Sequence, residues 1–136
     1  MIKVLVVDDH ELVRSGISRL LADSPSISVV GQSESGEDAV RQAKELEPDV
    51  ILMDIRMPGI GGLEATRKIL RSHPEMHVIA VTACDDKPYA SRLFQAGAAG
   101  YITKGADADE MVRAIVKVKS GQKYISPEIA QRMALK

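Results

Sequence analysis

Four short apolar runs in this 136-residue chain stop abruptly at side chains that can carry charge or donate a proton. Val4-Leu5-Val6-Val7 runs into Asp8-Asp9, and Val50-Ile51-Leu52-Met53 into Asp54. Val78-Ile79-Ala80-Val81 ends at Thr82, and Tyr101-Ile102-Thr103 is followed by Lys104. Carboxylates brought together repel, at about 4 kcal/mol for a pair 4 Å apart in an effective dielectric near 20. A hard divalent cation relieves that repulsion, and Mg²⁺ favours a few carboxylates together with waters and phosphate oxygens. Asp8 and Asp9 are therefore expected to hold Mg²⁺, with Asp54 sharing the ion while acting as nucleophile. A carboxylate that attacks phosphorus forms an aspartyl phosphate. Lys104 would bring a point charge to the phosphoryl oxygens and Thr82 a hydroxyl donor. The Met57-Pro58-Gly59-Ile60-Gly61-Gly62 cluster is a loop. It lets the backbone bend around the site, so that a main-chain carbonyl near Arg56 completes the metal shell.

Each of these residues also has an ordinary explanation. An aspartate after a strand usually caps the next helix. Thr82 alone is a β-branched strand residue, and Lys104 alone a solvated lysine. The joint pattern at four strand ends is what points to chemistry. His10, His73 and His77 have no ligand-like spacing and are read as surface or capping residues. Cys84, with no base nearby in sequence, is read as a small, partly buried side chain rather than a reactive thiol. Met53 and Met57 are packing residues.

The elements that must position these groups alternate. Glu11 to Ala22 has Leu12, Ile17, Leu20 and Leu21 near helical spacing, and Ile27 to Gly31 reads as a second strand. Gly36 to Leu46 is a polar-faced helix stopped by Pro48, and Leu63 to Leu70 another with Pro74 beyond its end. Pro88 to Ala96 is a short helix with Gly97 placed as its C′ residue, and Asp109 to Val118 a fifth helix closed by Gly121. The strands are apolar throughout rather than alternating, as in a sheet covered by helices on both faces. Five strand–helix repeats predict an α/β fold: a doubly wound, five-stranded parallel sheet of order 2-1-3-4-5 with right-handed crossovers. Ligands of such sheets bind beyond the carboxyl ends of the strands, where strand order reverses. Here that crevice lies between the strands ending in Asp8-Asp9 and Asp54.

Composition narrows the function. With 18 basic and 19 acidic residues and no basic block, the chain lacks the positive field that nucleic-acid binding needs. Its single cysteine excludes an internal disulfide and fits a reducing compartment. With no signal-peptide layout and no run long enough to span a bilayer, the expectation is a cytoplasmic protein with no membrane partner. Residues 1–122 are expected to form one domain. Residues 123–136 look separate: Ser126-Pro127-Glu128 is a strong helix start, and Ile129 to Leu135 continues it to Lys136. We read that segment as a linker toward a further domain.

Together, Asp8-Asp9, Asp54-Ile55-Arg56-Met57-Pro58-Gly59, Thr82-Ala83 and Tyr101-Ile102-Thr103-Lys104 resemble the receiver domains of two-component response regulators, from Ile2 to Gly121. Val7-Asp8-Asp9-His10-Glu11-Leu12-Val13-Arg14, Gly59 to Thr66 and Gln95 to Tyr101 resemble the LuxR/FixJ (NarL) subfamily, and Tyr124-Ile125-Ser126-Pro127 its GacA/UvrY-type members. The resemblance implies a flavodoxin-like fold, and Asp54 accepting phosphate from a sensor histidine kinase. It implies that Thr82 and Tyr101 act as switch residues and change the face around helices four and five, where a homodimer could form. It also implies transcription control through a C-terminal helix-turn-helix absent from these residues, with DNA bound only by that domain. Gly105 departs from the family, many of whose members place proline after the lysine; a non-proline cis bond costs about 2.5–4 kcal/mol, which disfavours one here.

Two other classes compete with a non-enzymatic, phosphorylation-driven regulator. A Mg²⁺-dependent phosphohydrolase with an aspartyl nucleophile usually spaces two aspartates two residues apart after the first strand, whereas Asp8 and Asp9 are adjacent, and a lid insertion is missing. A pseudo-receiver that only mediates contacts has no need of the complete Asp8, Asp9, Asp54, Thr82, Lys104 set.

Overall fold

A computed structural model describes residues 1–83 and 87–134, with the side chains of residues 87–90 and 132–134 outside the description. Cys84 lies outside the described residues. Along the chain run β1 (Ile2–Val7), α1 (Glu11–Ala22), β2 (Ile27–Ser33), α2 (Gly36–Leu46), β3 (Val50–Asp54) and α3 (Gly61–Ser72). There follow β4 (His77–Thr82), α4 (Lys87–Gln95), β5 (Gly100–Thr103), α5 (Ala108–Lys119), β6 (Tyr124–Ile125) and α6 (Pro127–Ala134). The strands form one parallel sheet of order β2-β1-β3-β4-β5-β6. The expected five-strand order is present, with a sixth strand added at the β5 edge.

Burial on both faces explains why the central runs of β1, β3 and β4 are apolar. Val4, Val6, Val50, Leu52, Ile79, Val81 and Ile102 point to one face, where Leu21 of α1 and Met111, Ile115 and Val118 of α5 cover them. Leu5, Val7, Ile51, Met53 and Val78 point to the other, packed on Ala39 and Ala43 of α2 and Ala65 and Ile69 of α3. Small alanines on α2 and α3 let those helices lie close to the sheet, which holds the ends of β1 and β3 rigidly side by side.

Helix ends follow local chemistry. Ser35 caps α2 by accepting from the Asp38 backbone N–H at 3.1 Å, and Asp107 caps α5 by accepting from that of Glu110 at 2.8 Å. Gly97 ends α4 with φ +105°, and the Ala98 N–H reaches back to the Leu93 carbonyl at 2.9 Å. All peptide bonds among the described residues are trans, the Lys104–Gly105 bond included.

The segment after Gly121 differs from its sequence reading as a separate tail. Tyr124 and Ile125 pair with Gly100 and Tyr101, and the Ser126 N–H donates to the Tyr101 carbonyl at 2.9 Å. Helix α6 begins at Pro127, as its start signal predicts, but it lies on the sheet. Ile129 is only 6% exposed and joins a third apolar cluster with Ile55, Ala80, Leu93, Ala98 and Tyr101. Ile129→Ala is therefore expected to cost about 2–4 kcal/mol, read as a lower urea midpoint at unchanged slope. A change below about 0.5 kcal/mol would mean that the tail adds nothing to the fold.

Candidate functional site

The geometry at the carboxyl rim begins with β1 and β3. Val7 pairs with Met53, so Asp8 and Asp54 leave the sheet side by side. Asp54 is 2% exposed and Asp8 1%, while Asp9 is half-buried beside them. None of the three caps a helix: α1 is preceded by His10 and α3 by Ile60, neither with a side-chain cap bond. Asp8 instead accepts from the His10 backbone N–H at 2.8 Å, and its own carbonyl accepts from Arg14 Nη1 at 2.7 Å.

Lys104 enters from β5. Its Nζ stands 3.1 Å from Asp8 Oδ2 and 3.5 Å from Asp54 Oδ1, tying the two buried carboxylates together. The lysine backbone is fixed as well, because its N–H donates to the Thr82 carbonyl at 2.6 Å. Thr82 is buried at the end of β4, one residue beyond Val81, which pairs with Asp54. The Arg56 backbone N–H donates to the Asp54 carboxyl.

The charges are only partly compensated. Burial first, and then the neighbouring Asp8 charge, push the Asp54 carboxyl up to about 6, against the pull of Lys104 and the Arg56 N–H. Burial works against the charged form of Lys104, but bonds to Asp8 and the charge of Asp54 outweigh it and raise its pKa. Asp54 Oδ2 is buried without a hydrogen-bond partner, and the buried Asp9 Oδ1 has the His10 ring beside it at 3.0 Å. A buried carboxylate oxygen left without a donor, next to Asp8 and Asp9, suits a hard cation.

The loop from Ile55 to Gly61 frames the crevice, with Gly59 and Gly61 at φ +82° and +75°. A cleft of about 490 Å³ opens along it, lined by Ile55, Arg56, Met57, Pro58, Ile60 and Leu63 with the glycines between. Gly62 matters most, since a Cβ there would lie 2.2 Å from the Asp54 carbonyl oxygen and 2.8 Å from Ile55 Cα. Backbone cannot yield as a flexible side chain would. Gly62→Ala is expected to destabilise by about 1–3 kcal/mol, because the end of β3 must shift. Urea unfolding measures this, and a wild-type midpoint would show that the close approach is not needed.

The sequence-derived set thus divides. Asp8, Asp54 and Lys104 meet directly, Asp9 stands at the same rim, Thr82 borders it, and Arg56 reaches Asp54 through its backbone. Tyr101 lies deeper, 1% exposed, against Phe94 (ring centroids 6.3 Å apart) and in the cluster that holds Ile129. His10, read from sequence as a surface or capping residue, is exposed, but its ring also faces the carboxylates: Nδ1 is 3.0 Å from Asp9 Oδ1 and 3.4 Å from Asp8 Oδ1. His73 is placed elsewhere, 4.0 Å from Glu75, and His77 begins β4 at the opposite end of that strand, its pKa lowered by burial and the Lys119 charge.

A doubly wound parallel sheet with an acidic pocket at its switch point, a buried aspartate and a lysine salt-bridged to it defines the receiver class. Residues 4–116 match the family described as the response regulator receiver domain, and the chain belongs to that family. It is 65% identical over 136 residues to the response regulator GacA of Pseudomonas syringae pv. syringae, covering all of this chain and 64% of that protein. It is 56% identical over 135 residues to the response regulator UvrY of Escherichia coli, covering 99% of this chain and 62% of that protein. The chain thus spans somewhat less than two thirds of the curated relatives it matches. Among solved structures, a LuxR-family two-component response regulator from Aurantimonas superposes with a TM-score of 0.92 at 38% identity, covering 97% of this chain and 94% of that one. The signal receiver domain of NarL from Mycobacterium tuberculosis gives 0.83 at 35% identity, covering 89% and 98%. Among the described residues, no helix is long and apolar enough to cross a membrane.

Proposed function

We propose that this chain is the phosphoacceptor part of a two-component transcription regulator, with Asp54 the residue that takes the phosphoryl group. The observation that carries this is Asp54 itself: a buried carboxylate with one free oxygen, held beside Asp8 by Lys104. One Asp54 oxygen forms a bond to phosphorus while the bond from phosphorus to the donor breaks. The donor, a phosphohistidine of a sensor kinase or acetyl phosphate, leaves with the electron pair. Asp8, Asp9, Asp54 and the Arg56 carbonyl are the groups that would hold Mg²⁺. The ion supplies charge neutralisation for carboxylates and phosphoryl oxygens alike. Lys104 then answers the added phosphoryl charge, and Thr82 offers its hydroxyl from the neighbouring strand.

In this proposal residues 1–122 carry the phosphoacceptor chemistry, and 123–136, which add β6 to the sheet edge, lead on toward a helix-turn-helix domain that binds DNA in a cytoplasmic regulator. Tyr101 carries the switch, because β6 pairs with its strand and Ile129 packs in its cluster. Its change alters the face around α4 and α5, where a homodimer contact would form.

Incubation with acetyl phosphate and Mg²⁺ separates the alternatives. A phosphoprotein formed at one equivalent per chain supports this function. Turnover of many phosphate esters would favour a phosphohydrolase, and no reaction a pseudo-receiver. Thr82→Ala is expected to accept phosphate at Asp54 yet lose most of the accompanying change. Chemical shifts of α4 and β5 recorded with and without beryllofluoride measure this; a full wild-type response in Thr82→Ala would remove Thr82 from the coupling.

A further inference from the structure

His10 has no part in the function proposed above, yet it stands against the acidic pair. Its Nδ1 lies 3.0 Å from Asp9 Oδ1 and 3.4 Å from Asp8 Oδ1, and the three groups can offer ligand atoms all within 4.8 Å of one another. Ligand atoms on adjacent positions of an octahedral ion with bonds near 2.1 Å stand about 3.0 Å apart. The imidazole and the Asp9 carboxylate are therefore already spaced as neighbouring ligands of one ion, with Asp8 slightly farther off. An independent observation points into the same place: Asp54, 2% exposed and beside the charge of Asp8, keeps Oδ2 without a partner.

We infer that His10 is a nitrogen ligand at the rim of the acidic pocket and biases it toward divalent transition ions such as Co²⁺, Ni²⁺ and Zn²⁺ over Mg²⁺. The inference rests on the acidic residues forming the cation site proposed above. Mg²⁺ is an oxygen-seeking ion that dehydrates reluctantly, so an imidazole gains little by displacing one of its waters. Imidazole suits first-row transition ions, whose affinity for nitrogen sites rises from Mn²⁺ to Cu²⁺. His10 is accessible and already faces the carboxylates. Its side chain is 68% exposed and makes no cap bond to α1, while its backbone N–H, bonded to Asp8 Oδ1 at 2.8 Å, fixes the ring's root beside the carboxylates. The carboxylates bind either class of ion; the ring chooses between them.

The test compares wild type, His10→Ala and Asp9→Ala by titration calorimetry with Mg²⁺ and Co²⁺, and by pulsed EPR of the protein loaded with Cu²⁺, the ion of that series with the strongest preference for nitrogen. Wild type is expected to show nitrogen modulation from one coordinated imidazole. His10→Ala should lose that signal and weaken Co²⁺ binding by about tenfold, with Mg²⁺ binding changed less than twofold. Equal effects on both ions, or no nitrogen signal in wild type, overturns the ligand role of His10. Asp9→Ala keeps the two levels apart. If it loses both ions while His10→Ala changes nothing, the acidic site stands and the histidine inference falls. If Asp9→Ala binds both ions as wild type does, the acidic site itself is wrong and His10 falls with it.

Discussion

Replacing Asp54 by asparagine is expected to abolish hydroxylamine-labile labelling by acetyl phosphate and, in Mg²⁺-free buffer, to make the protein more stable at pH 7.5. The first effect follows from chemistry, since an amide cannot form the acyl phosphate. The second follows from burial. The Asp54 carboxyl stands at about 6 in the folded protein against an ordinary value of 3.8, so the folded state holds its proton more tightly than the unfolded chain. A raised acid pKa subtracts stability as pH rises. The cost is absent below about pH 4, grows between 4 and 6, and is complete above 6. At about 1.4 kcal/mol per pH unit, the shift sets an upper figure of about 3 kcal/mol. Urea titrations of wild type and Asp54→Asn across pH 4 to 8 check this. The curves should converge at the acid end and separate toward neutrality. Persistent acyl-phosphate labelling in the variant would remove Asp54 as acceptor, and a pH-independent stability difference would remove the burial explanation.

Lys104→Ala is expected to act with the opposite sign. Removing the ammonium group 3.1 Å from Asp8 and 3.5 Å from Asp54 leaves two buried carboxylates without their shared counter-charge. Breaking a fully buried pair costs about 3–5 kcal/mol. Because the Lys104 side chain is 27% exposed, about 2 kcal/mol is the fairer expectation. Loss should be greatest above pH 6, where Asp54 is ionised, and millimolar Mg²⁺ should restore much of it by supplying charge to the same oxygens. Thermal unfolding with and without Mg²⁺ reads both. If Lys104→Ala is as stable as wild type in metal-free buffer, the lysine is not holding the carboxylates together.

The sheet was readable because its central strands are buried on both faces: Val4–Val7, Val50–Met53 and Val78–Val81 are unbroken apolar runs, each ended by a polar side chain. That made the rim residues readable too, since Asp8, Asp54, Thr82 and Lys104 are those end markers. Two-residue β6 gave no such signal. Tyr124-Ile125 is too short for a pattern, and it becomes a strand only because the β5 edge offers unpaired backbone groups. Ile129 looked like part of an isolated helix because its burial depends on Tyr101 and Leu93, distant in sequence. His10 is exposed as its sequence reading expects, but its contact with the acidic pair was not legible: spacing along the chain says nothing about a ring that folds back on the two residues before it. The tight approach of Gly62 to Asp54 was hidden within a loop whose glycines all read alike.

The Lys104 bridge also fixes the pocket's arithmetic of formal charge. Three carboxylates and one ammonium leave it at about −2 when Asp54 is ionised, and a divalent cation brings it near zero. Turning Asp54 into an acyl phosphate exchanges a single negative charge for about −1.5 to −2, a net change of no more than one unit. Under the proposed chemistry, the pocket's total charge therefore barely distinguishes the two states. What changes is where the negative charge sits: it moves off the end of β3 and out into the crevice. A partner that sensed net electrostatics would respond weakly, whereas Lys104 and Thr82, fixed at the rim, would meet the displaced charge at close range.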